Sequence, residues 1–289
     1  MKKVLVIGKN GMLGRKLLQI LKNQFQCVGT DSKELNITVY NNTFQKIQKI
    51  NPQIVINTAG FTQVDLCEQE TEQAFAVNAE GAKHVALACN KVRAKCVYIS
   101  TDYVFDGGKE EPYTEEDPTN PLSIYGKSKL KGENYVRENA SNFLIIRTSW
   151  LFGEEGSNFV SKVIALSQEK KALEMVNDQK GSPTYTEDLS RAISLLIAKD
   201  ESGVFHISNS GFCTWFDFAK KILEITGSSL KLIPVSSDRI GRPAERPPFS
   251  VLSCEKLKKE TGIIMPDWED ALVRCIERMK RLGSAVSVL

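Results

Sequence analysis

Short apolar runs alternate with longer amphipathic stretches through the first half of the chain. Residues 4–8 read as a strand buried on both faces, and 11–22 as a helix with Leu13, Leu17, Leu18 and Leu21 on one side. Further strands are predicted over 27–30, 54–57, 96–100 and 143–147. Helices are predicted over 41–50, 70–89 and 123–139, with Pro52 closing the first of these. β-Branched apolar strands alternating with helices predict an α/β fold, a Rossmann-type doubly wound parallel sheet covered on both faces. The second half is less regular. Residues 159–171, 186–199, 214–226 and 268–282 read as helices and 204–207 as a short strand; Thr214 is placed to cap a helix start and Gly227 to stop it. Segment 241–248, rich in proline and arginine, reads as an ordered loop. The alternation weakens near Phe152. This predicts a larger parallel-sheet domain over 1–153 plus 184–229, the one that would hold a dinucleotide if the motifs below bind one, and a smaller mixed α/β domain over 154–183 plus 230–289, which would then hold the substrate.

Composition narrows the class without naming a chemistry. The 289 residues are 42% hydrophobic and 25% charged, which argues against disorder, collagen and coiled coil. No apolar run reaches the roughly 20 residues of a membrane helix. The early run 4–7 is too short for the apolar core of a signal peptide. The net charge of +3 is small and dispersed, so no nucleic-acid partner is expected. The seven cysteines are odd in number and hold no CxxC pair, which reads as reduced thiols of a cytoplasmic protein. His84 and His206 are the only histidines; both read as structural, and no His-based metal site is expected.

Chemistry concentrates at three places. The sequence GKNGMLG at 8–14 follows the first strand and opens the first helix. Gly8 and Gly11 permit a tight turn and close approach of a diphosphate, Gly14 lets the helix pack on the sheet, and the helix start offers free N–H groups to the anion. Asp31, ending the second strand, is either an acceptor for the adenosine ribose hydroxyls or a turn-forming acid; Ser32 and Lys33 beside it leave NADH against NADPH open. STDYVF at 100–105 ends the fourth strand, and YGKSK at 125–129 opens a helix. One helical turn puts Tyr125 and Lys129 about 40° apart around the axis and about 6 Å apart along it. An ammonium there is expected to lower the phenol pKa and make it a proton donor to a carbonyl being reduced, with Thr101 bonding the same oxygen. Trp150 reads as core or as a stacking surface. Residues 177–184 read as a plain loop or a cleft wall. Arg239, Arg242 and Arg246 read as a solvated basic loop or a diphosphate clamp.

With these motifs in hand, the chain resembles the extended short-chain dehydrogenases/reductases and, more narrowly, the dTDP-4-dehydrorhamnose reductase family. The similarity spans nearly the whole length: 8–14, NTAGFTQVD at 57–65, 100–105, 125–129, RTSW at 147–150, NDQKGSPT at 177–184, and Arg246-Pro247. The resemblance implies NAD(P)H-dependent reduction of the C4 ketone of dTDP-4-dehydro-L-rhamnose, with Thr101, Tyr125 and Lys129 as the catalytic set. It implies a cofactor site lined by Gly8, Asn10, Gly11, Met12, Leu13, Asp31, Asn36, Ile37, Ala59, Gly60 and Phe61 together with Tyr125 and Lys129. Asp102, Trp150 and Arg246 would join Thr101 and Tyr125 on the sugar nucleotide, Arg246 at its diphosphate, with Thr62 and Asp65 near the nicotinamide end. Two positions depart from the pattern. Members often carry an acid where Asn36 stands, and some carry at the position of Lys16 a Glu used in a magnesium-linked dimer. No metal is therefore expected, and the chain is expected to be a monomer or weak homodimer. Two rival readings are a sugar-nucleotide epimerase or dehydratase that retains NAD, and a non-catalytic regulatory subunit like the methionine adenosyltransferase β subunit. Against the first, dehydratases use an Asp-Glu pair after the Thr, and here Asp102 is followed by Tyr103; against the second stands the complete Thr-Tyr-Lys set.

Overall fold

The computed structural model describes residues 1–283. The chain begins with β1 (Lys3–Ile7), α1 (Met12–Leu21), β2 (Gln26–Thr30), α2 (Tyr40–Ile50) and β3 (Ile54–Asn57). A broken helical segment follows: α3 (Val64–Gln69), α4 (Thr71–Phe75), a π-helical turn at Ala76–Glu80, and α5 (Gly81–Val92). Then come β4 (Lys95–Thr101), a tight turn at Asp102–Val104, α6 (Ile124–Asn139), β5 (Phe143–Thr148) and β6 (Leu151–Phe152). The second half adds α7 (Phe159–Glu169), β7 (Ala172–Val176), β8 (Lys180–Gly181), β9 (Thr184–Tyr185), α8 (Thr186–Ala198), β10 (Gly203–His206) and β11 (Cys213–Thr214). It ends with α9 (Trp215–Thr226), β12 (Lys231–Val235), α10 (Ser237–Ile240), α11 (Glu255–Thr261) and α12 (Trp268–Arg281).

Six strands form one sheet in the order β10-β5-β4-β3-β1-β2, every pairing parallel. Successive side chains leave a strand on opposite faces. Val4 and Val6 therefore join a core with Leu13 and Leu17 of α1 and Leu189 and Ile193 of α8. Leu5 and Ile7 join another with Ile47 of α2, Val85 of α5 and Val136 of α6. Both faces are dry, which is why these strands read as unbroken apolar runs. A third core holds Val160 of α7, Phe218 and Ile222 of α9, and Leu272 and Ile276 of α12, with the parallel pair β7 and β12 packed on it.

Three features differ from the sequence reading. The segment expected as one helix over 70–89 is interrupted by the π-helical turn, because Asn78 within it bonds sideways to the loop after β3 and to α6. Strands β7 and β12 are absent from the prediction; they are half exposed, carry lysine and glutamate, and β12 contains Pro234, so their apolar signal is weak. Residues 213–226, assigned by sequence to the dinucleotide-binding domain, pack in the third core through Cys213 and Phe218. Leu257 and Met265, assigned to the smaller domain, pack in the sheet's core. Only pairing across the fold decides where such amphipathic segments dock.

Candidate active site

β1 is flanked by β2 on one side and β3 on the other, so the loops at their carboxyl ends diverge and leave a crevice. It opens into a cleft of about 1150 Å³. Gly11, Met12, Leu13, Ala59, Gly60, Thr101, Asp102, Tyr125, Lys129, Trp150 and Arg246 all line it, as expected from sequence. Gly8, Asn10, Asp31, Asn36, Ile37 and Phe61 do not line its described wall. Gly8 lies beneath the turn, Phe61 is clamped by Asn78, and the Asn36 amide oxygen is taken by the N–H and hydroxyl of Thr38 at 3.0 and 2.8 Å. Ile37 is buried under α5, its carbonyl 2.8 Å from His84 Nδ1.

The glycine turn has the form that a diphosphate needs. Gly8 holds φ +92°, where side chains are strained, and a Cβ on Gly14 would stand 2.1 Å from the Gly8 carbonyl oxygen. α1 has no side-chain cap and no acid in its first turn, so the N–H groups of Met12 and Leu13, which line the cleft, have no hydrogen-bond partner among the described residues. The residues present thus fit a dinucleotide at this end.

At the other end, Thr101 ends β4 and Tyr125 stands in the first turn of α6, which Ser123 caps. Burial raises the Tyr125 phenol above its ordinary value, with the Thr101 hydroxyl opposing and the Asp102 charge reinforcing the rise. The expected acidification by Lys129 is not present in this geometry. Lys129 Nζ donates to the Ile99 carbonyl at 2.5 Å and sits 4.1 Å over the Tyr98 ring, and burial lowers it to about 7 against the pull of Glu133. Asp102 is also buried. Burial pushes its carboxyl up to about 7, although Ser250 donates to it at 2.6 Å and Thr101 at 3.0 Å.

Several neighbours were not singled out from sequence. Asn78 accepts the Phe61 N–H at 2.8 Å and donates to the Phe61 carbonyl and to Ser128, both at 3.0 Å, tying the β3 loop to α6. Its only sequence signal is a polar residue inside an apolar helical stretch. Trp215 stacks on Trp150 with ring centroids 3.5 Å apart and planes 7° apart, and both line the cleft. Trp150 adopts φ +46°, a left-handed conformation rare for a side chain of this size, so the fold holds the ring there against backbone preference. Arg246 is not free for an anion. Its Nη2 lies 2.9 Å from Asp65 and its Nη1 donates to the Ala244 carbonyl at 2.8 Å, strapping the 241–248 loop to α3.

Beneath the cleft, Glu133 accepts from Ser100 at 2.6 Å and from Arg147 Nε and Nη2 at 2.9 and 2.8 Å. His206 continues this network: Arg147 reaches its Nε2 at 3.4 Å, and Nδ1 lies 3.0 Å from the Tyr113 carbonyl. Burial and the Arg147 charge hold His206 at about 3, below the ordinary 6.5. The unfolded chain therefore takes up this proton first as the medium is acidified. The stabilisation is complete above 6.5 and is lost as pH falls from there towards 3. We expect His206→Gln to flatten this part of a urea-midpoint against pH curve; an unchanged slope would count against the assignment. Lys16 lies in a separate network. It is buried, bonded to Glu154 and 3.9 Å from Glu187, while Arg278 of α12 reaches the same acids at 3.2 and 2.6 Å. The position linked by resemblance to a metal-joined dimer is here occupied by an ammonium inside the subunit's own ion network.

A parallel sheet with a glycine turn at its switch point, and a strand-end threonine facing a helical tyrosine across one cleft, define an extended short-chain dehydrogenase/reductase. Known proteins narrow the class. The profile of the RmlD substrate binding domain family matches residues 1–281. The chain is 41% identical over 273 residues to the spore coat polysaccharide biosynthesis protein SpsK of Bacillus subtilis, covering 94% of this chain and 96% of that one. It is 36% identical over 282 residues to the dTDP-4-dehydrorhamnose reductase of Sinorhizobium fredii, covering 94% and 95%. The crystal structure of dTDP-4-dehydrorhamnose reductase from Bacillus anthracis in complex with NADP matches with a TM-score of 0.94 at 41% identity, over 96% of this chain and 99% of that one. The chain belongs to the dTDP-4-dehydrorhamnose reductase family.

Proposed function

We propose that this protein is an NAD(P)H-dependent reductase that converts the C4 ketone of dTDP-4-dehydro-L-rhamnose to the alcohol of dTDP-L-rhamnose, a nucleotide sugar for cell-surface polysaccharide. The observation that carries the reading is the half-buried Tyr125 phenol and Thr101 lining one cleft, which continues to the uncapped N-terminus of α1. When bound, the nicotinamide supplies the hydride. Met12 and Leu13 hold the cofactor diphosphate through backbone N–H groups, Gly11 lets it approach the turn, Ala59 and Gly60 border it, and Asp31 accepts from the adenosine ribose.

Tyr125 donates its proton to the ketone oxygen as charge develops there, and Thr101 donates a hydrogen bond to that oxygen. Lys129, one turn along α6, is placed to bond the cofactor ribose when it leaves the Ile99 carbonyl. Asp102 and the Trp150–Trp215 stack wall the sugar nucleotide. Arg242, exposed on the cleft wall, borders its diphosphate, and Arg246, paired with Asp65, holds the loop that carries it. The elements of 1–153 with α8 and β10 carry the dinucleotide, and the third core with the 241–248 loop carries the sugar nucleotide.

The test is stoichiometric. With dTDP-4-dehydro-L-rhamnose as acceptor, loss of dihydronicotinamide absorbance is expected to equal the sugar reduced, one for one. Conversion of a nucleotide sugar with no net consumption would instead identify an epimerase or dehydratase. Absence of turnover together with tight association with a larger protein would identify a regulatory subunit.

A further inference from the structure

Beyond the cleft's described wall, at the end of β2, lie charges that the reduction itself does not use. A dinucleotide seated at this switch point brings its adenosine ribose to the carboxyl end of the second strand, here Thr30 followed by Asp31. Asp31 Oδ1 accepts the N–H groups of Lys33 and Glu34 at 3.0 and 3.2 Å, and Oδ2 accepts from Asn10 at 3.0 Å. A carboxylate has about four acceptor sites, so capacity for a ribose hydroxyl remains. Glu34 is placed differently. Its Oε2 lies on two donors at once, the Lys9 ammonium at 2.5 Å and the Asp31 backbone N–H at 3.1 Å.

An ammonium with a strand-end backbone N–H is a donor set suited to a phosphate oxygen. Here a carboxylate oxygen of the chain itself already holds it. Lys9 also lies 3.7 Å from Asp31 Oδ2, so its single charge serves two acids. A ribose 2′-phosphate carries about −1.5 to −2 charges at neutral pH. To bind, it must displace Glu34 from Lys9 and then stand beside two carboxylates. A 2′-hydroxyl needs neither step, because it is neutral and donates to Asp31.

We propose that Glu34 is a specificity-determining residue, which disfavours NADPH relative to NADH by occupying the donors a 2′-phosphate requires. This rests on the dinucleotide reading of the cleft and deepens it. Calorimetric titration of the full chain with NADH and with NADPH tests it without turnover. The unaltered protein is expected to bind NADH more tightly. Glu34→Gln removes the charge and keeps the shape; it is expected to tighten NADPH about tenfold while NADH changes little. Lys9→Met in that background is expected to return the ratio, and Lys9→Met alone to widen the preference for NADH. Ratios of kcat/KM should move in parallel, and the NADPH effect should shrink at high salt. A dissociation-constant ratio unmoved by Glu34→Gln, or moved equally with and without Lys9, overturns the role of Glu34. Should Glu34→Gln fail to fold, Glu34→Ala and Lys9→Met alone decide the same point. Failure of the unaltered protein to bind either dinucleotide would overturn the reductase reading itself, whereas binding of both with an unmoved ratio removes only Glu34's role.

Discussion

Tyr125→Phe is expected to lower kcat/KM for the ketosugar by about 10²- to 10⁴-fold, the range for loss of a positioned general acid. Phenylalanine keeps the ring, its packing against Tyr103 at 6.0 Å and the first turn of α6, and removes only the proton donor. Dinucleotide affinity should therefore hold while kcat falls, which separates a chemical role from a structural one. Stopped-flow absorbance of the bound dihydronicotinamide gives kcat, and calorimetry gives the affinity. An undiminished rate in this variant would refute the assignment. Burial raises the phenol above its ordinary value, so it keeps its proton to higher pH than a free tyrosine. The free enzyme's activity should therefore not fall through loss of this proton as the medium is made alkaline through the phenol's ordinary range.

Arg147→Met is expected to destabilise the fold by about 3–5 kcal/mol, the usual consequence of leaving one member of a buried ion pair behind. Glu133 and Arg147 are both almost fully buried, and the guanidinium meets the carboxylate through two hydrogen bonds at 2.9 and 2.8 Å. Without Arg147, the Glu133 carboxylate keeps only Ser100 and the partly exposed Arg137. Denaturant titration would show the loss as a lowered midpoint. The double variant Glu133→Gln, Arg147→Met should recover much of it, because no buried charge remains. A double variant no more stable than the single one would mean that packing, and not the uncompensated charge, dominates. The pair also bears on the chemistry: Glu133 lies one turn beyond Lys129 on α6 and bonds Ser100, the residue before Thr101. It locks the helix carrying the phenol to the strand carrying the threonine.

Local chemistry made much of this legible. The run Val4–Ile7 had to be a doubly buried strand, and the glycines after it had to turn. The Tyr-Lys spacing is a property of any helix. These features depend on neighbours within a few residues, so a linear string carries them. Asn78, Ser250, Trp215 and Glu133 act on partners 17, 148, 65 and 33 positions away, Asn78 on Phe61, Ser250 on Asp102, Trp215 on Trp150 and Glu133 on Ser100. No local pattern announces such pairs.

What the sequence determined by itself was the alternation of buried strands and amphipathic helices, the phosphate turn, and which side chains had the chemistry for reduction. Those follow from periodicity, backbone freedom and functional groups, all written in the order of residues. Only the tertiary structure decided how those groups are electrically set. It turned Lys129 onto the Ile99 carbonyl, tied Arg246 to Asp65 and placed Glu34 on Lys9. The reason is that desolvation and pairing depend on distance in space. A charge's partners and its exposure to water exist only once the chain has closed around it.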